Sequence, residues 1–272
     1  MKIQLLLFLL VSYFVSAQEN LTYQKPPKEI LDLADYERAP TVATDTKNEN
    51  ILFMYRNTYK TLDDLNQDEL RLAGLRINPT TNISSTVTYT TNLKLRKVNG
   101  KNEIQVAGLP SNPKISNILW SPNDKKILFS NTAATGVELW VIDVASAQAT
   151  KLTDATVNAN LGNPFSWLPD NETILVKMLP KNRKPLLDPK NDLPTGPIIS
   201  NTAGTKSQNR TFPDMLKNQS DEINFENITT SELYKVNLNG NATLFKEAAM
   251  YYGERISPDG NFIMLTTIQK PF

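Results

Sequence analysis

Residues 120–146 read WSPNDKKILFSNTAATGVELWVIDVAS, and this stretch decides the fold. Trp120 is followed by a Ser-Pro-Asn-Asp turn, in which proline presets one backbone angle and the Asn/Asp side chains favour tight turns. Five residues after Pro122, a run of β-branched and aromatic residues opens at Ile127. Such residues favour a pleated strand. A further eight-residue run, LWVIDVAS, begins at Leu139. The stretch therefore predicts a turn followed by two neighbouring strands.

The same pattern recurs along the chain at a shared offset. A proline turn precedes a strand by five residues at Pro169 and Ile174 and again at Pro258 and Ile263, and a weaker copy places Asp45 before Ile51. Eight-residue runs that match LWVIDVAS occupy residues 93–100 and 233–240. The bare period is about 47 residues, which is typical of a four-stranded β-propeller blade. A β-sandwich also has evenly spaced strands, but the repeated offset favours the propeller.

The predicted fold class is therefore all-β, with about three propeller blades and the start of a fourth. Because a propeller needs about four to eight blades to close, the ring is expected to be incomplete. We expect the chain to be an N-terminal piece of a longer protein, with strand edges and apolar blade faces exposed.

The N-terminus predicts export. Lys2 precedes an apolar run from Ile3 to Val15, and small residues follow up to Ala17. This pattern is typical of a secretory signal peptide over residues 1–17, with the mature propeller domain spanning 18–272. An uncleaved membrane anchor is the alternative, but it needs about 20 apolar residues. We expect a periplasmic or secreted location and no membrane contact in the mature form.

Composition excludes several classes of site. The chain has 29 basic and 28 acidic residues, no histidine and no cysteine. No Ser-His-Asp or Cys-His unit and no histidine or cysteine metal site can form from these residues. The spacing of the ten glycines excludes a GxSxG nucleophile elbow and GxG phosphate loops. We expect no catalytic residue, no cofactor, no metal and no nucleic-acid partner, so the chain alone is not expected to be an enzyme.

Two insertions lengthen the first and third repeats. In the first, at about residues 57–87, leucines at 62, 65 and 72 with Gly74 behind them predict a short helix. Asp64, Asn66 and Asp68 have the spacing that opens a calcium loop, but Glu69 stands where that loop needs glycine. A solvated helix start is the preferred interpretation.

The second insertion, at about residues 181–228, is the one concentrated basic segment. Between 181 and 217 it has seven basic and three acidic residues, and five prolines predict irregular structure. An arginine there could pair with a carboxylate through both oxygens. A solvated basic loop is the alternative.

Four segments together resemble a known family. They are Leu72-Ala73-Gly74-Leu75-Arg76-Ile77, the Trp120-Ser121-Pro122 turn, Pro194-Thr195-Gly196-Pro197 and Arg210-Thr211-Phe212-Pro213-Asp214-Met215-Leu216-Lys217. They resemble the N-terminal propeller of glutamyl endopeptidases, in the prolyl oligopeptidase family of serine peptidases. The first and last are the more specific, because they lie in insertions that a generic blade lacks.

The resemblance implies a serine peptidase of which this chain is the non-catalytic propeller, and the signal peptide indicates that this peptidase is exported. The implied partners are a peptide substrate and an α/β-hydrolase domain that is absent from this sequence and would contact the propeller within the parent. The implied role is to restrict and orient peptides. For a glutamate side chain, the candidate substrate-binding residues are Arg210, then Arg183, then Arg76, with the alternative that Arg210 only ties its loop down through Asp214.

Two other functions remain open at this point. One is a free-standing periplasmic or secreted binding propeller that holds a partner on its loops. The other is a propeller with its own glycosidase-type pair of carboxylates, for which the 28 scattered acids give no marked pair.

Overall fold

The computed structural model describes residues 25–188, Gly196, Ala203, Gly204 and 213–272. The chain divides into two units, with the boundary between Glu37 and Arg38. In the described part of the first unit, helix α1 (Lys28–Ala34) follows Pro27. The proposed signal peptide lies outside the described residues. Among the helices that are described, none has the length and apolar character needed to cross a membrane.

The second unit is built almost entirely of antiparallel strands. In chain order these are β1 (Thr41–Thr44), β2 (Asn50–Tyr55), β3 (Leu70–Leu72), β4 (Leu75–Asn78), β5 (Ile83–Ser84), β6 (Asn92–Lys97), β7 (Ile104–Gln105), β8 (Ile115–Trp120), β9 (Lys126–Ala133), β10 (Gly136–Asp143), β11 (Gln148–Lys151), β12 (Phe165–Trp167), β13 (Thr173–Met178), β14 (Ser231–Asn237), β15 (Ala242–Ala249), β16 (Tyr251–Ile256) and β17 (Ile263–Thr267). Two helices join them, α2 (Leu62–Leu65) and α3 (Gln219–Thr229).

Three sheets of four strands are propeller blades. Their orders are β1-β2-β6-β7, β8-β9-β10-β11 and β12-β13-β14-β15, so each blade is an up-and-down meander once the insertions are set aside. The hairpin β16-β17 opens a fourth blade. The predicted fold class, three blades and the start of a fourth in an incomplete ring, is confirmed.

The turn before the second strand of each blade is the same structure four times. The backbone N–H at Asp45, Ser121, Leu168 and Ser257 donates to the carbonyl five residues later. The residue three positions along is left-handed in every copy, at Asn48, Asp124, Asn171 and Gly260. Asparagine, aspartate and glycine tolerate that conformation, which explains the residues that the repeat uses there.

Successive turns contact one another and so bring successive blades together. The Asp124 carboxylate accepts the Thr46 N–H at 3.1 Å, and the Asn171 side-chain oxygen accepts the Asn123 N–H at 2.8 Å. In the next pair, Gly260 lies against the ring of Pro169. The four turns therefore form a continuous series along one end of the blades.

Apolar layers fill the space between neighbouring blades. Blades one and two enclose a cluster that includes Leu52, Ile115 and Phe129, and blades two and three enclose one that includes Leu139 and Trp167. A smaller cluster joins blade three to the last hairpin. On that hairpin Phe262 and Met264 stay exposed, at 72% and 57%.

The two insertions differ from the sequence expectation. The first forms a helix only over Leu62–Leu65, and Leu72 lies in strand β3, not in that helix. Asp64 and Thr61 cap the helix reciprocally, and left-handed Ala73 and Gly74 turn β3 into β4. In the second insertion, the final part is helix α3, capped by Asn218, although an irregular loop was expected. The prolines end before it, so they do not prevent a helix there.

Candidate functional site

The two insertions lie against each other on one side of the blades. Their contact is an apolar group, here named the insertion cluster, that consists of Leu72, Ile77, Leu161, Phe225, Ile228 and Met250. The carbonyl oxygens at the end of α3 are held by the blade, because the buried Asn158 side chain donates to Ile228 at 2.9 Å and Thr230 at 3.0 Å. Residues that are distant in sequence thus form one packed module.

Arg76 lies in this module, on strand β4. Its Nε is 3.7 Å from Oδ2 of Asp214, and its side chain is 44% exposed. The Gly74 N–H also donates to the Asp214 carbonyl at 3.2 Å. Asp214 is therefore a contact between the two most family-specific segments, and its partner among the described residues is Arg76.

Arg183 joins the same module from the second insertion. Its Nε donates to the Asn227 carbonyl at 3.1 Å, and its Nη1 donates to the Asn82 side chain at 2.5 Å. Burial lowers the pKa of the Arg183 guanidinium. Its hydrogen-bond acceptors are neutral oxygens and not a carboxylate. Arg183 thus links the first insertion to helix α3.

Arg210, the leading candidate from the sequence, lies outside the described residues. Arg76 and Arg183 are both in the insertion module, but the two side chains contact different partners. Nothing in the described region assembles the three arginines into one carboxylate site.

A cleft of about 1330 Å³ separates the first insertion from blade two. A salt bridge crosses the cleft from helix α2 to the loop at residues 110–114, because Lys114 Nζ is 2.8 Å from Oδ1 of Asp64. The Lys114 hydrogen bond lowers the pKa of Asp64 to about 2. On the blade side, Glu138 accepts the Trp140 Nε1–H at 2.8 Å and the Asn131 amide at 3.0 Å.

This cleft has no signature in the amino-acid sequence. Its lining comes from residues 56–67 and 78–91, the loop at 110–114 and the end of the β9–β10 hairpin, which share no motif. The only sequence signal was the insertion itself, because added loops are where binding residues concentrate.

A buried charge pair lies between blade three and the last hairpin. Lys177 Nζ is 3.6 Å from Oε2 of Glu254, with the side chains 3% and 7% exposed. Lys177 also donates to the Leu161 carbonyl at 3.1 Å, and the Ser166 hydroxyl donates to Glu254. Burial lowers the pKa of Lys177, and the nearby Glu254 acts in the opposite direction.

Among the described residues, no serine hydroxyl is hydrogen-bonded to a lysine amine, and no three acidic side chains group as a metal site. What the geometry does offer is a polar cleft and a rigid insertion module beside it. Such features suit binding and positioning of a ligand.

No protein-family model matches the chain. Two curated proteins, each named "Probable glutamyl endopeptidase, chloroplastic", are similar to it. The protein from Oryza sativa subsp. japonica is 31% identical over 265 residues, and that from Arabidopsis thaliana is 31% identical over 268 residues. Each match covers 92% of this chain, and the chain spans 28% and 27% of the two relatives.

Among solved structures, similarity is looser. The acylaminoacyl peptidase of Pyrococcus horikoshii has a TM-score of 0.43 and 12% identity, over 88% of this chain and 29% of that chain. A prolyl endopeptidase has a TM-score of 0.43 and 15% identity, over 88% of this chain and 28% of that chain.

Proposed function

This chain is a propeller region of the prolyl oligopeptidase family of peptidases. From that membership we propose that it is the non-catalytic propeller of an exported serine peptidase that cuts glutamyl peptides. Its role is to restrict and orient the peptide. The single observation that carries the proposal is the 31% identity to glutamyl endopeptidases, which extends over 92% of this chain and includes both insertions. Because the chain spans 28% of that relative, the catalytic groups are assigned to the remainder of the parent.

The residues of the chain support a positioning role. The sequence has no histidine, so the base of a Ser-His-Asp unit must come from elsewhere. The blades supply a rigid frame, and the insertions supply an irregular polar surface on it. Positioning a substrate on such a frame lowers the barrier without chemistry by the frame itself.

The first test concerns the site of catalysis. The natural polypeptide that carries the chain should react with a fluorophosphonate probe and hydrolyse glutamyl peptides, whereas residues 18–272 alone should do neither. Labelling of a serine within residues 18–272, with turnover lost on its replacement, would contradict the proposal. A polypeptide that neither labels nor cleaves but still binds peptides would instead support the free-standing binding propeller.

The second test concerns recognition of glutamate. Arg183 and Arg76 have partners within the insertion module, whereas Arg210 lies in the more specific segment, so Arg210 is the candidate that the geometry leaves open. Arg210→Ala should lower kcat/KM for glutamyl substrates by the equivalent of about 1–3 kcal/mol of transition-state stabilisation, and kcat/KM for glutaminyl substrates should stay nearly unchanged. The matched control, Arg183→Ala, should lower the melting temperature and keep the preference. An equal loss on both substrates for Arg210→Ala would make it a structural residue.

A further inference from the structure

The cleft beside the first insertion is lined mainly by hydrogen-bonding side chains. Hydroxyls and amides are provided by residues along its whole length, and they include Thr61, Gln67, Asn78, Ser85, Tyr89 and Asn112. Tyr89 and Trp140 add aromatic surface. A lining of this type suits an extended chain whose polar groups need partners at intervals.

The charges of the cleft do not cancel. Five basic side chains line it, and so do three acidic ones, Asp63, Asp64 and Glu138. Asp64 is paired with Lys114, and Glu138 is 3.5 Å from Lys151. The lining residues Arg38, Arg56 and Lys60 remain, and within the described part of the chain no carboxylate is within 4.0 Å of them.

Arg56 is the best placed of these three. It follows directly after strand β2, where the base of the insertion is closed by the Thr91 N–H donating to the Tyr55 carbonyl at 2.7 Å. Arg56 is half-buried, and its Nε is shielded from solvent with no acceptor among the described residues. Because Arg56 lines the cleft and has no carboxylate partner in the described region, a ligand carboxylate that enters the cleft can pair with it.

Two comparisons strengthen this interpretation. Arg96 also has a buried Nε without an acceptor in the described region, but its guanidinium lies over the Phe53 ring at 4.9 Å and is outside the cleft. Arg56 has no such ring contact among the described residues. In the cleft lining, Thr81 is 8% exposed, and its hydroxyl likewise has no described partner. Two residues that each carry a buried, unpaired polar atom are thus part of the lining of the same cleft.

We infer that this cleft binds an extended acidic peptide, with Arg56 taking a carboxylate of that peptide. A planar guanidinium binds both oxygens of a carboxylate. A nucleic acid is disfavoured, because its phosphate at every nucleotide would meet Asp63, Asp64 and Glu138, whereas a peptide can place neutral residues there. The inference rests on the proposed function only in that a peptidase parent would supply such a peptide; the site itself consists of residues of this chain.

Binding can be measured without turnover. The natural polypeptide that carries the chain is first treated with a fluorophosphonate to block any peptidase, and its melting temperature is checked for each variant. A fluorescent peptide of alternating glycine and glutamate is then titrated by anisotropy, with its glutamine counterpart and inorganic phosphate as competitors. Arg56→Gln is compared with Arg56→Lys and with the control Arg96→Gln.

We expect Arg56→Gln to weaken the glutamate peptide about 10- to 100-fold, the scale of a charged hydrogen bond. Arg56→Lys should lose less, Arg96→Gln should bind like the wild type, and the glutamine peptide should compete poorly. Unchanged affinity in Arg56→Gln, or equal competition by the glutamine peptide or by phosphate, would overturn the inference. If Arg56→Gln does not fold, wild-type affinity in Arg56→Lys together with equal glutamine competition overturns it.

The outcomes separate this inference from the proposed function. A polypeptide that does not react with the fluorophosphonate but binds the peptide through Arg56 refutes only the peptidase. A polypeptide that cleaves glutamyl peptides while Arg56→Gln binds normally refutes only the Arg56 site.

Discussion

The blades and the insertion module are held together by different kinds of contact. Within a blade, each strand pairs with the next strand of the same blade along the chain, as β9 and β10 do across the Ala133–Gly136 turn. In the module, Asn82 meets Arg183 and Gly74 meets Asp214, which are far apart in the chain. The blades rest on apolar strand faces, whereas the module adds charged and amide groups to its apolar cluster. Local repetition therefore specifies the blades, and long-range polar contacts specify the insertion module that packs on them.

We expect the apolar cores of the blades to be the dominant source of stability, and the largest effect therefore comes from a substitution there. Phe129 in β9 is fully buried and stacks on Trp140 with ring centroids 6.0 Å apart. Phe129→Ala should lower the free energy of unfolding by about 4 kcal/mol, because it removes apolar contacts and leaves a cavity. Thermal unfolding followed by circular dichroism measures this loss.

The matched change in the module is Ile228→Ala, at another fully buried position. It should expose residues 181–228 to limited proteolysis while the main unfolding transition moves less than in Phe129→Ala. A shift of the main transition as large as that of Phe129→Ala would show that blades and module unfold as one.

The buried pair Lys177–Glu254 provides a polar contact inside the frame, and so sharpens the comparison. Lys177→Met should cost about 3 kcal/mol, because Glu254 would stay buried without its cation. Adding Glu254→Leu should restore most of this loss, since the remaining charge is then removed as well. Urea unfolding of the single and double variants measures both. A single variant as stable as the wild type would mean that water reaches Glu254.

The smallest expected effect tests a polar tie of the first insertion. Asp64→Asn removes the charge that pairs with Lys114, and after allowing for partial solvent screening we expect a loss of about 1 kcal/mol at neutral pH. The folded pKa of Asp64, about 2, lies below the ordinary 3.8, so its contribution is complete above pH 3.8. It is lost as the pH falls from 3.8 to 2.

Urea unfolding of wild type and variant across that pH range measures the difference. The exposed neighbour Asp63 supplies the control, and Asp63→Asn should change stability by less than about 0.5 kcal/mol. A difference between wild type and Asp64→Asn that stays constant down to pH 2 would contradict the assignment of the pKa.

The frame could be predicted from the sequence because its information is local. A proline turn, a left-handed Asn, Asp or Gly and a strand five residues on recur at one spacing, and each part acts on its own neighbours. The weak copy at Asp45 lacks the proline and still forms the same closed turn. The Asp45 N–H donates to the Asn50 carbonyl, and the Asp45 carboxylate accepts the N–H groups of Glu49 and Asn50.

The candidate site could not be predicted in the same way. Leu72 continued a helical spacing after Leu62 and Leu65, but Ala73 and Gly74 turn the chain back as a hairpin, and the helix stops at its second leucine. The sequence indicated that Arg183 could pair with a carboxylate, whereas its partners are the side-chain amide of Asn82 and the carbonyl of Asn227. The Arg56 position depends on the packing of the insertion against blade two, which leaves no pattern in the sequence.

The contact between Asn82 and Arg183 also depends on the order in which the chain is synthesised. The two residues are 101 positions apart, and ribosomes add about 5–20 residues per second. Asn82 is therefore added to the growing chain about 5–20 s before Arg183. All strands of blade two are synthesised during that interval, because they lie between the two residues. The order of synthesis thus places blade two before the segment that packs against the first insertion.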